Sequence, residues 1–290
     1  MSDQASAAPG VEPELIDLLH LGRAKVIGAW RVGEVIIDPG PSSCLGELLA
    51  GLERDPPRVL ALTHIHLDHA GAAGSLVRRF PELEVWVHER GAAHLVDPAR
   101  LLSSATRLYG ADMERLWGEV LPVPAERLRV LQGGETLGPF EVAYTPGHAS
   151  HHVSYLHEPS RRAFTGDVTG VRIDGACILA PTPPPDIDLD AWRASLELIE
   201  AWSPRSIAPT HFGSYDDVDE QLAALREQLE RMQELAGRGD EAAFASAIRA
   251  QVAASSTPEA AGAYEQAMPP GQSFHGLARY LGRRASQPGA

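Results

Sequence analysis

Apolar positions recur in two rhythms along this 290-residue chain, and the change from one to the other marks its organisation. AKVIGAWRVGEVIIDPG (24–40) reads as two short strands around a turn at Gly33, and CLGELLAGLE (44–53) has helical spacing. RVLALTH (58–64) is a run of small apolar residues, the pattern of a buried strand. HAGAAGSLVRRF (69–80) predicts a helix that stops before Pro81, and EVWVHE (84–89) predicts the next strand. This β–α–β alternation predicts a layered α/β architecture.

From Gly91 to Arg127 the spacing turns helical, which reads as an insertion over 91–127. Strands return in RLRVLQGG (127–134), FEVAYTPGH (140–148), HHVSYLHE (151–158) and RAFTGD (162–167). A proline-rich loop, LAPTPPPDIDLD (179–190), leads into the helix AWRASLELIEAW (191–202), and SIAPTHFG (206–213) closes the α/β part. Residues 11–214 therefore read as the main domain and 215–290 as a C-terminal helical region, after a polar start at 1–10 expected to be disordered. Within the C-terminal region Val218, Leu222, Leu225, Leu229 and Met232 make one apolar stripe. Packing on the protein's own body is the first reading of that stripe, and a homodimer seam is the second.

Charge and cysteine content narrow the function classes. The net charge of −14 argues against a nucleic-acid partner or an anionic membrane surface, both of which need clustered Lys and Arg. Cys44 and Cys177 are the only cysteines and lie far apart, so no disulfide framework or thiolate metal site is expected. MSDQASAAPG lacks the basic and apolar regions of a signal peptide, and no apolar stretch approaches membrane-spanning length. A cytoplasmic location is the expectation.

The chemistry is concentrated in LTHIHLDHAG (62–71), directly after the apolar run of 58–64. In extended backbone His64 and His66 project to one side, so one metal ion can be gripped by both. Asp68 and His69 follow where a helix starts, and a turn there can aim both at a second point. So many imidazoles and carboxylates at a strand mouth are costly to bury unless they coordinate a cation. Three later stretches share the logic: YTPGHAS brings His148 off a strand, FTGDVTG brings Asp167 beside Gly166, and APTHFG brings His211. Together they supply five His and two Asp at predicted strand ends.

THIHLDHAG, TPGHASHH, FTGD and the His after a short strand resemble, in that order, the motifs of the metallo-β-lactamase-fold hydrolases, nearest their glyoxalase II and lactonase side. The resemblance covers about residues 24–214. It implies an αββα sandwich of two mixed β-sheets with helices outside and a two-metal site at one edge. Carried over by position, His64, His66 and His148 would hold the first metal and Asp68, His69 and His211 the second. Asp167 would bridge both beside a shared water or hydroxide. The absence of thiolates suits two Zn²⁺ ions, with Fe or Mn as alternatives. Asp68, a ligand beside that water, would also carry a proton to the leaving group.

The implied activity is hydrolysis of a small ester, thioester or lactone. Lactonases of this fold carry a Tyr shortly after the bridging Asp, whereas VTG follows Asp167 here. A phosphodiesterase is an alternative, as is a mononuclear-iron oxidoreductase of the sulfur dioxygenase type. For the substrate, Arg107 and Tyr109 in the helical insertion and Trp192 after the proline-rich loop are the candidate contacts. His151 and His152 read as supports for the ligands rather than ligands, and His88 and His94 as ordinary structural residues.

Overall fold

The computed structural model describes residues 11–52 and 56–286; the predicted disordered start at 1–10 and the last residues, 287–290, lie outside them. Two mixed sheets face each other. The first runs in the order β1 (Glu14–Asp17), β2 (Gly28–Val32), β3 (Val35–Ile37), β4 (Val59–Ala61), β5 (Glu84–His88) and β6 (Leu128–Leu131). Its first three strands are antiparallel and the remaining pairings are parallel. The second contains β7 (Thr136–Leu137), β8 (Phe140–Tyr144), β9 (Val153–His157), β10 (Arg162–Gly166) and β11 (Ser206–Pro209), with only β10–β11 parallel.

Strand periodicity explains why nearly every position of the central strands is apolar. In β3, Val35 and Ile37 face the second sheet, in a core with Trp86, Phe140, Tyr155 and Phe164, while Ile36 joins the helix-covered core on the other side. β4 repeats the division, with Val59 and Ala61 inward and Leu60 outward. A sheet covered on both faces needs apolar residues at both parities. Helices α1 (Leu45–Leu52) and α3 (Ala73–Arg79) contribute Leu48 and Leu76 to the outer core over the first sheet. Over the second sheet α7 (Leu189–Ala201) contributes Leu196 and Ile199.

Two predicted elements are shorter than their patterns. The strand of 58–64 pairs only over Val59–Ala61, and the chain then continues extended to His66, its Thr63 carbonyl accepting from Val153 N–H at 2.8 Å. The helix of 69–80 is split into α2 (Leu67–Ala70) and α3, because Ala72 N–H bonds the Gly40 carbonyl at 2.9 Å instead of continuing one helix. Both departures serve the same place, the end of β4.

The insertion consists of α4 (Glu89–Val96), α5 (Ala99–Tyr109) and α6 (Met113–Trp117). It joins β5 to β6, which pair in parallel, so the connection has to cross over the sheet. The C-terminal region is four helices that pack together: α8 (Val218–Gly237), α9 (Glu241–Ser255), α10 (Pro258–Ala267) and α11 (Pro270–Ala285). Leu222, Leu225, Leu229 and Met232 of the predicted stripe are fully buried, and α8 contacts α7, α9 and α11. The stripe thus packs within the chain, as the first reading had it. No helix among the described residues is long and apolar enough to cross a membrane.

Candidate metal centre

Seven polar side chains converge between the ends of β4, β8, β10 and β11. His64 and His66 come from the extended run after β4, and His66 precedes α2 with β-region backbone. Asp68 and His69 sit in the single turn of α2. His148 follows β8 through Gly147, whose φ of +137° and missing Cβ let Trp192 of α7 approach; a Cβ there would lie 2.4 Å from Trp192 Cα. Asp167 follows Gly166, where a Cβ would lie 2.5 Å from Thr63 Oγ1. His211 follows β11.

Each of four imidazoles is held from behind at Nδ1. His69 Nδ1 donates to Asp38 Oδ2 at 2.8 Å, His148 Nδ1 to the Pro181 carbonyl at 2.8 Å, and His211 Nδ1 to the Val26 carbonyl at 2.5 Å. His64 Nδ1 lies 3.1 Å from Thr63 Oγ1, whose own proton goes to Asp38 Oδ2 at 2.6 Å, so His64 is again the donor. A neutral imidazole protonated at Nδ1 presents a bare lone pair at Nε2. All four Nε2 atoms point inward.

What they meet there is another imidazole nitrogen or a carboxylate oxygen. His64 Nε2 and His148 Nε2 each lie 3.0 Å from His66 Nδ1. His69 Nε2 lies 3.3 Å from Asp167 Oδ1 and 3.8 Å from Asp68 Oδ2, and His211 Nε2 lies 3.5 Å from each. His69 Nε2, His211 Nε2 and Asp167 Oδ1 are buried without a hydrogen-bond partner. Neutral imidazoles and carboxylates facing one another in a buried site are costly unless a proton or a metal cation lies between them. The donor atoms fall into adjacent groups, His64–His66–His148 and Asp68–His69–His211, with Asp167 grouped with His64 and His69 between them. The residues present therefore fit two metal ions, held by imidazole and carboxylate alone.

Electrostatics divide the two groups. Burial, reinforced by neighbouring imidazoles, lowers His64 and pushes His66 down to about 4, which keeps both neutral as a ligand must be. Burial alone would raise Asp68, but His69 and His211 override it and hold the carboxyl well below the usual carboxylate range. Burial opposes a charged His69 as well, yet Asp167, Asp68 and Asp38 together raise it. Positive charge is drawn most strongly to the Asp68–His69–His211 side.

Asp38 was invisible to sequence reasoning. It lies in the DPG that ends the second predicted strand, a stretch that reads as a turn. Its carboxylate is buried and accepts from Thr63 N–H, Thr63 Oγ1, His69 Nδ1 and Thr210 Oγ1 at 2.6–2.9 Å. One acid thus fixes both the β4 end and the His211 loop. His152 Nε2 accepts from Asp167 N–H at 3.4 Å and His151 Nδ1 from Ile65 N–H at 3.4 Å, so both support the ligand loops. His88 caps α4 and stacks on Tyr144.

A cavity of about 330 Å³ opens over His66, Asp68, Asp167 and His211. A family model described as the metallo-beta-lactamase superfamily matches residues 33–211. The chain belongs to this superfamily. A metallo-beta-lactamase fold-containing protein of Sulfurisphaera tokodaii is 29% identical over 187 residues, 62% of this chain and 68% of that one. The crystal structure of an archaeal superfamily protein from Sulfolobus tokodaii superposes with a TM-score of 0.69 at 23% identity, covering 93% of this chain and 99% of that one. The hydroxyacylglutathione hydrolase GloC of Haemophilus influenzae is 30% identical over 140 residues, 46% of this chain and 59% of that one. This chain spans about half the length of the hydroxyacylglutathione hydrolases it matches. A protein solved in a di-iron-bound form shares 25% identity and a TM-score of 0.53, covering 77% of this chain and 98% of that one.

Of the predicted substrate contacts in this superfamily member, Tyr109 lines the cavity, with burial pushing its phenol well up. Arg107 does not. Leu101, Ser104, Ala105, Leu108 and Tyr109 give α5 its cavity face, which leaves Arg107 on the exposed side. Trp192 is fully buried, its indole donating to the Val168 carbonyl at 2.7 Å and packing edge-on to His148. It supports the site from beneath and touches no open space. The wall opposite α5 comes from α10 and α11, including Met268 and Gln272.

Proposed function

We propose that this protein is a dinuclear metal-dependent hydrolase that cleaves a small ester, thioester or lactone. The observation that carries the reading is the meeting of buried, partnerless acceptors: His69 Nε2, His211 Nε2 and Asp167 Oδ1, at 3.3–3.5 Å, under an open cavity. His64, His66 and His148 would hold one metal, Asp68, His69 and His211 the other, and Asp167 both. Imidazole and carboxylate without thiolate favour Zn²⁺, and the likeness to a protein solved with two irons keeps Fe as the competing metal. Bound there, a metal pair supplies Lewis-acid polarisation of a carbonyl and an acidified water.

The chain's own residues do the rest. Asp68 is the ligand candidate with an exposed carboxylate edge, its side chain 22% accessible at the cavity floor. Held as a carboxylate by His69 and His211, it is placed to take a proton and return it to a leaving group. Asp38 fixes the tautomer and direction of His69 through Oδ2.

Metal analysis of purified protein, followed by screening of the metal-loaded form against esters, thioesters, lactones and phosphodiesters, tests the reading. Two metals per chain with turnover of carboxylic esters or thioesters is the expected result. One iron per chain with oxygen consumption would overturn it in favour of an oxidoreductase.

A further inference from the structure

The cavity walls differ chemically from the floor. Leu101, Leu108, Leu116, Met268 and the prolines after Pro181 make them apolar. Several of their polar groups are already hydrogen-bonded within the protein. Tyr109 Oη donates to Gln272 Oε1 at 3.3 Å, and Gln266 Nε2 meets His20 Nδ1 at 2.9 Å. His20 Nε2 donates to the Leu116 carbonyl at 2.9 Å.

Charge on the lining is one-sided. Among the described residues that line the cavity, the carboxylates are Asp68, Asp112 and Asp167, and none is Lys or Arg. Three guanidiniums bond lining residues from outside the lining: Arg115 pairs with Asp112 at 2.9 Å, Arg23 donates to Gln266 Oε1 at 3.1 Å, and Arg283 donates to the Pro185 carbonyl at 3.2 Å. With Asp68 and Asp167 given to the metals and Asp112 to Arg115, a substrate carrying an anionic tail would enter an apolar space whose own lining holds no Lys or Arg to receive it. Burying an unpaired charge is strongly unfavourable, whereas each methylene buried there is favourable. At about 330 Å³ the space suits a compact small molecule.

We propose that the cavity selects an ester or thioester that is uncharged and apolar away from its scissile group, with a short acyl chain, and rejects glutathione-type and other anionic carriers. The proposal takes its chemistry from the hydrolase reading but makes a separate claim about what the walls accept.

Two assays on the metal-loaded protein separate those claims. In calorimetric titrations with butanoate, hexanoate and adipate as product probes, affinity should rise about three- to fourfold per methylene from butanoate to hexanoate. Adipate, with a second carboxylate in place of the chain end, should bind at least about tenfold more weakly than hexanoate. Adipate binding as tightly as hexanoate would overturn the proposal. In the turnover assay the S-ethyl thioester of hexanoic acid should be hydrolysed with at least about tenfold higher kcat/KM than S-hexanoylglutathione. A preference for the glutathione thioester would sink the selectivity claim and leave the hydrolase intact. Hexanoate preference without turnover of either thioester would do the reverse. Leu108→Arg, at a half-exposed wall position that puts no core at risk, should narrow the hexanoate–adipate ratio. An unchanged ratio would show that the walls do not set the preference.

Discussion

On the cavity floor four imidazoles are braced from behind by a carboxylate, a hydroxyl or a carbonyl; on the walls, polar side chains bond one another and backbone carbonyls across elements far apart in sequence. The floor gathers Thr63, Asp38, Thr210 and His69 into one buried network centred on Asp38. The walls join α5 to α11 through Tyr109–Gln272, and His20 to α10 through Gln266. Satisfied buried networks hold geometry rigidly, which metal ligation demands. A wall made of side chains on packed helices changes shape and polarity by substitution without disturbing that geometry. On the proposed function, the floor would set the reaction type and the walls the substrate choice.

The largest effect should come from breaking the floor itself. Asp68→Ala removes a ligand candidate and the exposed carboxylate together, so metal content should fall to one ion per chain and activity by well over the roughly 100-fold that outer-shell changes cost. Two ions retained with turnover near wild type would refute its role. Asp38→Asn probes the brace. Asn tolerates the left-handed backbone of position 38, where φ is +50°, so the fold should survive. Whichever way the amide lies, however, its NH₂ meets donors, because Thr63 N–H occupies one oxygen and three donors share the other. A loss of about 10–100-fold in metal affinity or activity is expected, measured by competition with a chelator.

That contrast also explains what was readable in the sequence. Ligands at strand ends have fixed spacing, so HIHLDH, His148, Asp167 and His211 stood out; periodicity marked the individual strands, while their division into two sheets followed from the resemblance. Asp38 did not, because an Asp before Pro-Gly has a sufficient local explanation as a turn residue. The wall residues were hidden for another reason. A helix turns 100° per residue, so Arg107 and Leu108 face different ways, and the direction is set only by what α5 packs against. Trp192 failed on the same ground, since its side of α7 is the buried one. Gln266 and Gln272 meet the site only because α10 and α11 fold back over it, a long-range event with no local trace.

Behind the walls, the α8 stripe offers a test that should move stability and spare the floor. Leu229 is fully buried among helices that pack on α11. Leu229→Ala should cost about 2–5 kcal/mol in denaturant unfolding, with metal stoichiometry unchanged. A loss of metal at native conditions would mean that floor and wall are one unit, and the comparison would fail.

The smallest expected effect concerns a charged link between the His211 loop and the helical tail. Arg172 brackets the His211 loop through its backbone, donating to the His211 carbonyl at 2.7 Å and accepting from Phe212 N–H at 3.1 Å. Its guanidinium grips Asp217, just before α8, with two bonds of 2.7 Å while lying over the Tyr215 ring. The bond from Arg172 holds the Asp217 carboxyl below its ordinary value. A depressed folded-state pKa adds stability above the unfolded value of about 3.9, and that share disappears as pH falls through the folded value. Asp217 is 40% exposed, so solvent screening limits the pair to about 1 kcal/mol or less. Compared with Asp217→Asn, the wild type should therefore be slightly more stable at pH 6, and the gap should close in acid below pH of about 3.9. A gap that persists or widens there, measured by urea unfolding at each pH, would mean that the tail is tied to the His211 loop by packing on Tyr215 and α8 rather than by this charge pair.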